Sequence, residues 1–368
     1  MKGKIKLQYN RLIVLLIIVL ILLVILYKIL IISKLRHVNV LSDLKPLLLE
    51  RQINTMLSNK QRNRLQSIMN HNITKKNIEI VIARYKADIS WSDMYKSIRT
   101  IYDKGWANEN ITKIKDESLI KLPNIGRESH TYLHHIVYNY DDLADVTVFT
   151  QDGAPAVGSK AWAIGGGHLL SNSSFHDLVL SEKGMFVFTN AMWLTSLDYR
   201  IRLGYSRGEI TREQAQSMCP DPPLYKGGSS HYVRMDSPSH IGLLQHIANL
   251  CSKEEIDYEC SGIGFWKKFI KLPLPRHNIV FFAQGSIFSV SKNDIRKRPK
   301  SDYEELLKYM SASVDPSGGY FMEWLWYYMV TSNINPCPTK GKEFEKRNTK
   351  FTSTTNYDLR ERVKGLRY

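Results

Sequence analysis

Apolar and polar positions divide the chain into an apolar start, a polar spacer, a long patterned region and a basic end. Leu12 to Tyr27 is an unbroken apolar run, and Ile29 to Ile32 extends it past Lys28. A helix over Leu12–Ile32 would be about 31 Å long at roughly 1.5 Å per residue, enough to cross a bilayer core. Lys28 sits near its end, where a long side chain reaches the headgroups. The run is long for a secretory leader, and Ser33 to Val40 offers no small-x-small cleavage site, so an uncleaved anchor is expected. From Ser33 to about Lys76 the chain is rich in Lys, Asn and Gln, with leucines at helical spacing (Leu41, Leu44, Leu47, Leu48, Leu49), and reads as a partly helical stalk.

The patterned region predicts one α/β domain over 77–335. Ile78, Ile80, Val81 and Ile82 predict a short buried strand. "DISWSDMYKSIRTIYDKG" (88–105) predicts a helix with Trp91, Tyr95, Ile98 and Tyr102 on one face and Gly105 as its stop. Pro123, Asn124 and Gly126 predict a turn. Glu128 to Tyr138 then has amphipathic spacing, with Tyr132, Leu133, Ile136, Val137 and Tyr140 toward one side. "ADVTVFTQ" predicts a second strand. Val280–Phe282 and Ile287–Val290 predict strands around a Gln284-Gly285 turn, with a helix beginning near Lys292 or Asn293. "SDYEELLKYM" predicts a helix capped by Ser301 or Asp302, and "GGYFMEWLWYYMV" an aromatic helix whose single acid is Glu323. Residues 153–275 are rich in Gly, Ser and Pro and show no clear period. In a sheet of this kind ligand groups gather at strand carboxyl ends, where Arg84-Tyr85 and Gln151-Asp152 fall.

Charge and composition narrow the classes. Net charge is +16. The first 37 residues hold seven Lys or Arg and no acid, leaving 44 bases against 35 acids, or +9, for the rest. A moderately basic domain attracts anionic substrates such as nucleotide sugars, polyanionic glycans or anionic membrane surfaces. No zinc-finger spacing, helix-turn-helix pattern or RNA-binding aromatic motif is present, so nucleic acid is not the expected partner. The cluster Arg296-Lys-Arg-Pro-Lys300 reads as a solvated helix edge, and 336–368 as a solvated basic tail. Lys2, Lys4, Lys6 and Arg11 before the apolar run outweigh Lys34 and Arg36 after it, which places residues 1–11 in the cytosol and the C-terminal domain in the lumen of the secretory pathway. Asn72, Asn110 and Asn172 stand in glycosylation triplets. Four cysteines (Cys219, Cys251, Cys260, Cys337) allow three pairings, with Cys251–Cys260 closing the shortest loop.

Three segments carry a resemblance: "EIVIARYKADISW" (79–91), "LPNIGRESHTYLHHIVYNYDDLADVTVFTQ" (122–151) and "FFAQGSIFSVSKNDIRKRPKSDYEELL…GGYFMEWLW" (281–326). Together they resemble a family known only as a domain of unknown function, common in fungi and met also in microbial and large-virus genomes. That family's pattern has Asn-Glu where this chain has Lys86-Ala87, and Gly where it has Asp152. Its layout is similar to nucleotide-sugar glycosyltransferases with a single α/β domain. The resemblance implies a GT-A-like mixed sheet flanked by helices, behind the transmembrane helix and stalk. It implies a nucleotide-sugar donor, a glycan or protein hydroxyl as acceptor, and a divalent cation such as Mn or Mg as one option.

Each candidate residue has a plainer alternative. Arg84, with Tyr85, Arg127 and Gln151, would hold the donor; an Arg fork suits a diphosphate, but Arg84 could instead pair with Asp88. Asp152 could hold a cation, although Asp-x-Asp is missing and Arg and Lys could neutralise the leaving group instead. Glu128 at a helix start is explained by the helix dipole. His130 and His134 lie on one helical face but lack the rest of a zinc motif, and read as helix-surface residues. Glu323, flanked by Met322, Trp324 and Trp326, suits a general base, or else a buried ion pair. The expected function is a membrane-anchored glycosyltransferase-like enzyme of the ER or Golgi. The alternative is a non-catalytic surface or virion-envelope glycoprotein, in a viral or host membrane, that binds glycans with the same fold.

Overall fold

The computed structural model describes residues 59–70, 72–105, 119–153, 155–157, 167–169, 175–186, 188, 190–197, 210, 214, 217 and 238–334. The predicted anchor (12–32), the leucines of the stalk and the C-terminal tail lie outside the described residues. No described helix is long and apolar enough to cross a membrane. The chain forms two compact units, 1–66 and 67–368. Helix α1 (Asn59–Met69) spans the boundary between them in sequence.

The second unit is mixed α/β. Its strands are β1 (Ile78–Arg84), β2 (Arg99–Asp103), β3 (Leu119–Lys121), β4 (Val146–Gln151), β5 (Pro155–Val157), β6 (Gly167–Leu169), β7 (Gly184–Met185), β8 (Asn190–Trp193), β9 (Ile279–Phe282) and β10 (Phe288–Ser291). Its helices are α2 (Arg127–Tyr138), α3 (Phe175–Leu180), α4 (Pro238–Cys251), α5 (Gly262–Phe265), α6 (Lys292–Ile295), α7 (Lys300–Met310) and α8 (Ser317–Thr331). Six strands form one sheet in the order β3-β2-β1-β4-β10-β7. The first four run parallel, and β10 lies antiparallel between β4 and β7. Parallel strands covered on both faces read as continuous apolar runs. β1 fits: all its residues but Glu79 are buried.

From β1 the chain steps through β2 and β3 on one side, then returns to place β4 on the other. Strand order thus reverses between β1 and β4, the point beyond whose carboxyl ends sheets of this kind bind ligands. Arg84 and Gln151–Asp152 stand there. Packing between the sheet and its helices is aromatic: the Tyr132 and Phe149 rings are 4.9 Å apart, Phe149 and Phe288 5.2 Å, and Phe288 and Trp326 5.6 Å.

Several local expectations change. The helix expected over 88–105 is a 3-10 helix only at Ser90–Ile98; Arg99–Asp103 is strand β2. Its Thr-Ile-Tyr centre suits a strand, and pairing with β1 from Ile80↔Arg99 to Arg84↔Asp103 satisfies the backbone, so sheet formation overrides the helical spacing. β9 and β10 flank the Gln284–Ser286 turn but do not pair: β9 joins β8, and β10 joins β4. α7 starts at Lys300 after Pro299, with no side-chain cap, so neither Ser301 nor Asp302 caps it; Pro299 itself sets the helix start. Arg298, expected on a solvated edge, is buried.

Cys251 and Cys260 form a disulfide with Cα atoms 6.1 Å apart. Cys219 and Cys337 lie outside the described residues. The bridged loop carries Glu254, whose carboxylate accepts the Ser317 N–H (2.6 Å), the Ser317 hydroxyl (2.7 Å) and the Tyr309 hydroxyl (2.7 Å). It thereby caps α8, the helix bearing Glu323, in place of a side-chain N-cap. Non-reducing peptide mapping is expected to recover Cys251 and Cys260 in one bridged fragment. Cys251→Ser should cost about 2–3 kcal/mol of stability for a loop this short; an unchanged melting curve would count against that role.

Candidate functional site

The carboxyl ends of β1, β2 and β4 hold one half of the candidate site. Arg84 is buried and pairs at 3.0 Å with Asp103 at the end of β2, while its Nε donates to the Ala87 carbonyl (3.3 Å). Asp103, not Asp88, is therefore its ion-pair partner. Asp152 lies just past β4. Its Oδ2 accepts three successive backbone N–H groups, Tyr85 (2.8 Å), Lys86 (3.1 Å) and Ala87 (3.0 Å), and its carbonyl accepts the Trp91 indole N–H (3.0 Å). The carboxylate clamps the loop after β1. Three N–H dipoles pointing at one oxygen repel a cation there, so the geometry does not fit a metal on Oδ2. Among the described residues no three His, Cys, Asp or Glu gather as a metal site. Tyr85 remains 42% exposed, with the Lys86 ammonium 4.7 Å from its ring centre. Gln151 is half-buried at the end of β4, opposite Ala83.

The start of α2 and the middle of α8 build the other half. Gly126 has φ +62°, and a Cβ there would lie 2.4 Å from the Met310 carbonyl oxygen, so only glycine fits. Arg127 follows at φ +51°. This αL pair directs Arg127 over the Tyr320 ring, 4.3 Å from its centre, and within 3.4 Å of Asp315 and 3.8 Å of Glu128. Opposite lies the turn between β9 and β10, where Gly285 (φ +81°) and Ser286 (φ +54°) are also left-handed. The Gly285 N–H donates to Glu323 (3.3 Å), and the Ser286 hydroxyl donates to Glu128 (3.4 Å). Neighbouring residues of one turn thus hold two carboxylates. Backbone strain of this kind persists only where the surrounding structure enforces it.

Electrostatics single out Glu323. Burial first, then the nearby Glu128, push its carboxyl up to about 7, against Arg127 and the Gly285 N–H, which favour the charged form. Buried Met322, Trp324 and Trp326 supply the apolar setting. Lys104, next to Asp103, is also buried; its Nζ donates to the carbonyls of Ile125 (2.5 Å) and Arg127. Burial brings it down to about 7, with Glu128 opposing. Burial, then Glu128 and Asp152, raise the Tyr132 hydroxyl well above its ordinary range, so one side chain feels a carboxylate from each half.

Of the two histidines expected at the helix surface, His130 is buried and His134 is half-buried. α2 is buried along most of its length, and His130 and His135 are inside the protein. Burial lowers both to about 3, which keeps them neutral. His135 Nδ1 lies 3.1 Å from the Tyr102 hydroxyl. His134 stacks on Tyr138 at 4.3 Å. Asn72 is exposed; Asn110 and Asn172 lie outside the described residues.

Several site residues escaped the sequence reading. The Glu128 position was visible, but its helix-start location explained it well enough alone. Asp315 and Tyr320 sit in "DPSGGY", whose Pro and glycines marked only a helix start. Lys104, Ser286 and His246 gave no signal. His246, on α4, approaches Asp315 (3.2 Å) and the Tyr320 hydroxyl (3.0 Å) at the rim.

A family model described as "Protein of unknown function (DUF3431)" matches residues 80–171 and 216–345, together more than half of the chain. No curated protein and no solved structure matches it.

Proposed function

We propose that this chain, which belongs to the DUF3431 family of proteins of unknown function, is a glycosyltransferase-like enzyme that moves a sugar from a nucleotide-sugar donor to a hydroxyl acceptor. The observation that carries the reading is Glu323: a carboxyl pushed up to about 7 and oriented by the Gly285 N–H, in a domain whose sheet reverses strand order between β1 and β4. A base poised near neutral pH is suited to taking a hydroxyl proton. The one reversed strand, β10, within an otherwise parallel sheet agrees with the GT-A-like layout.

In the proposed reaction Glu323 takes the acceptor O–H proton, and the freed electron pair bonds to the sugar's anomeric carbon. The bond from that carbon to the phosphate oxygen breaks, and its electrons leave with the nucleoside diphosphate. Arg127, a third exposed, is the cation best placed to meet that charge. Arg84 ties the ends of β1 and β2 together through Asp103. Tyr85 and Lys86 offer an exposed ring and charge for the donor's base or sugar. No step is routed through a metal, given how Asp152 is engaged.

A thermal-shift screen of the full chain against nucleoside diphosphates and nucleotide sugars, with and without manganese, tests the reading. One donor should raise Tm by mass action, and nucleoside diphosphate should be released when an acceptor is added. No shift and no release from any donor would sink it. The glycan-binding alternative draws on a specific observation: Arg84 and Asp152 are both engaged within the protein, so neither is free for phosphate or cation.

For location we propose a single-pass anchor at 12–32, with the domain in the lumen of the secretory pathway. The chain should then resist alkaline extraction from membranes, and protease added to intact microsomes should spare everything beyond about Arg36. Digestion of the domain would reverse the orientation.

A further inference from the structure

We propose that Lys104 is a positioning residue for Arg127: it holds the Gly126–Arg127 turn in its left-handed form and so places the guanidinium that meets the departing diphosphate. The inference rests on the transfer reading above for its ligand, while the placement of Arg127 can be read without one. Lys104 follows directly on β2. Its backbone N–H donates to the Arg84 carbonyl at the end of β1 (2.8 Å). Its ammonium donates to the carbonyls of Ile125 (2.5 Å) and Arg127, one on each side of Gly126. One residue thus ties the strand ends that hold Arg84 to the turn that carries Arg127.

Two costs show that this lysine does more than brace α2. The side chain is buried, where a charge is disfavoured unless it is bonded, and burial brings the amine down to about 7. It also sits at the N-terminal end of α2, where the helix dipole favours an acid over a cation. A Ser, Asp or Asn at the N-cap would satisfy a helix start without either cost, yet Gly126 stands there with no side-chain bond. What the lysine secures is a conformation. Arg127 has φ +51°, a region that a non-glycine residue holds only where its surroundings enforce it. The two donated bonds fix the peptide planes before Gly126 and after Arg127, and with them the two left-handed residues between. So held, the Arg127 side chain lies over the Tyr320 ring, 4.3 Å from its centre, and stays a third exposed, open to an anion.

The test has two arms, both on the full chain. The first needs no ligand. With isotope-labelled arginine, the Arg127 side-chain N–H signal is assigned by its loss in Arg127→Met and should be shifted by the Tyr320 ring. Lys104→Met should move it toward the position of a solvent-exposed arginine and leave the buried Arg298 signal in place, which shows an intact fold. The second arm measures binding of uridine diphosphate, guanosine diphosphate and inorganic pyrophosphate by calorimetry. Lys104→Met should weaken the best of these roughly tenfold to a hundredfold, the scale of a misplaced contact group. In an Arg127→Met background the same change should weaken it by less than about twofold, because a residue acting through Arg127 has nothing left to place. A merely structural lysine would weaken binding equally in both backgrounds. Lys104→Gln takes the place of Lys104→Met if the latter does not fold. Three results would overturn the proposal: the Arg127 signal stays in place, the two losses add in the double variant, or neither Lys104 variant folds, which would make the lysine a requirement of the fold. Failure of the transfer reading would look different. The Arg127 signal would move as expected while no diphosphate binds the parent, which upholds the placement and removes the ligand.

Discussion

Glu323→Gln is expected to cut sugar transfer by roughly a hundredfold or more, the usual scale for losing a general base, while nucleotide binding stays nearly intact. Gln keeps the side-chain shape and can still accept the Gly285 N–H, but it cannot take a proton. In the parent the rate should rise with pH through about 7, because the carboxyl must be ionised to act. Stability should move the opposite way. The folded-state value lies above the ordinary 4.5, so Glu323 favours folding fully only below about that pH, and the contribution is lost as pH rises through about 7. Glu323→Gln has no charge to bury. It should match the parent near pH 4.5 and exceed it at pH 8 by on the order of 1–3 kcal/mol. Melts at the two pH values decide the matter: a gap that does not widen would mean that burial does not penalise the charge. Unchanged turnover in the variant would remove the base from the mechanism and favour the glycan-binding alternative.

Sequence and structure agree where one short-range cause dominates. β1 and β4 were legible because their buried positions are rich in β-branched and aromatic residues, the types that suit a strand. α8 was legible from its length, its aromatic content and the glycines opening it. Glu323 stood out because a lone acid between Met322 and Trp324 is costly unless it has a task. Position 88–105 misled because Trp91, Tyr95, Ile98 and Tyr102 keep helical spacing across what becomes a 3-10 helix and a strand. Only the pairing of β2 with β1 decides between them, and that is a long-range fact. The rest of the site was hidden for the same reason. Glu128 and Glu323 meet through a turn that is distant from both in sequence, and Ser286 carries no local mark of a ligand. Arg84 had a nearby acid at Asp88, but its ion-pair partner is Asp103, supplied by sheet register.

Arg298→Lys should be among the most damaging single substitutions in the domain, although its sequence neighbourhood reads as a solvated basic patch. The side chain is buried, and its guanidinium donates to the carbonyls of Met329 (2.9 Å), Ile270 (2.7 Å) and Phe269 (3.4 Å), and to Asp302 (3.2 Å). Those carbonyls lie in the last turns of α8 and of the π-helix Trp266–Ile270, among groups that a helix cannot satisfy internally. One planar fork therefore ties two helix ends together. Lysine keeps the charge but presents a single ammonium on a flexible stem and cannot span the same acceptors. Removing the fork takes the Arg298 donors from the Ile270 and Phe269 carbonyls, leaves Met329 with the longer Tyr303 hydroxyl contact (3.4 Å), and takes a partner from Asp302, which keeps its contact with Lys271 (2.7 Å). Loss of one side of a buried charged network costs about 3–5 kcal/mol, or on the order of 10 °C in Tm for a domain of this size. Because Met329 lies on the helix that carries Glu323, nucleotide-sugar turnover should also fall at temperatures where the variant is still folded. A variant melting within a degree of the parent would show that the two helix ends are held by packing alone.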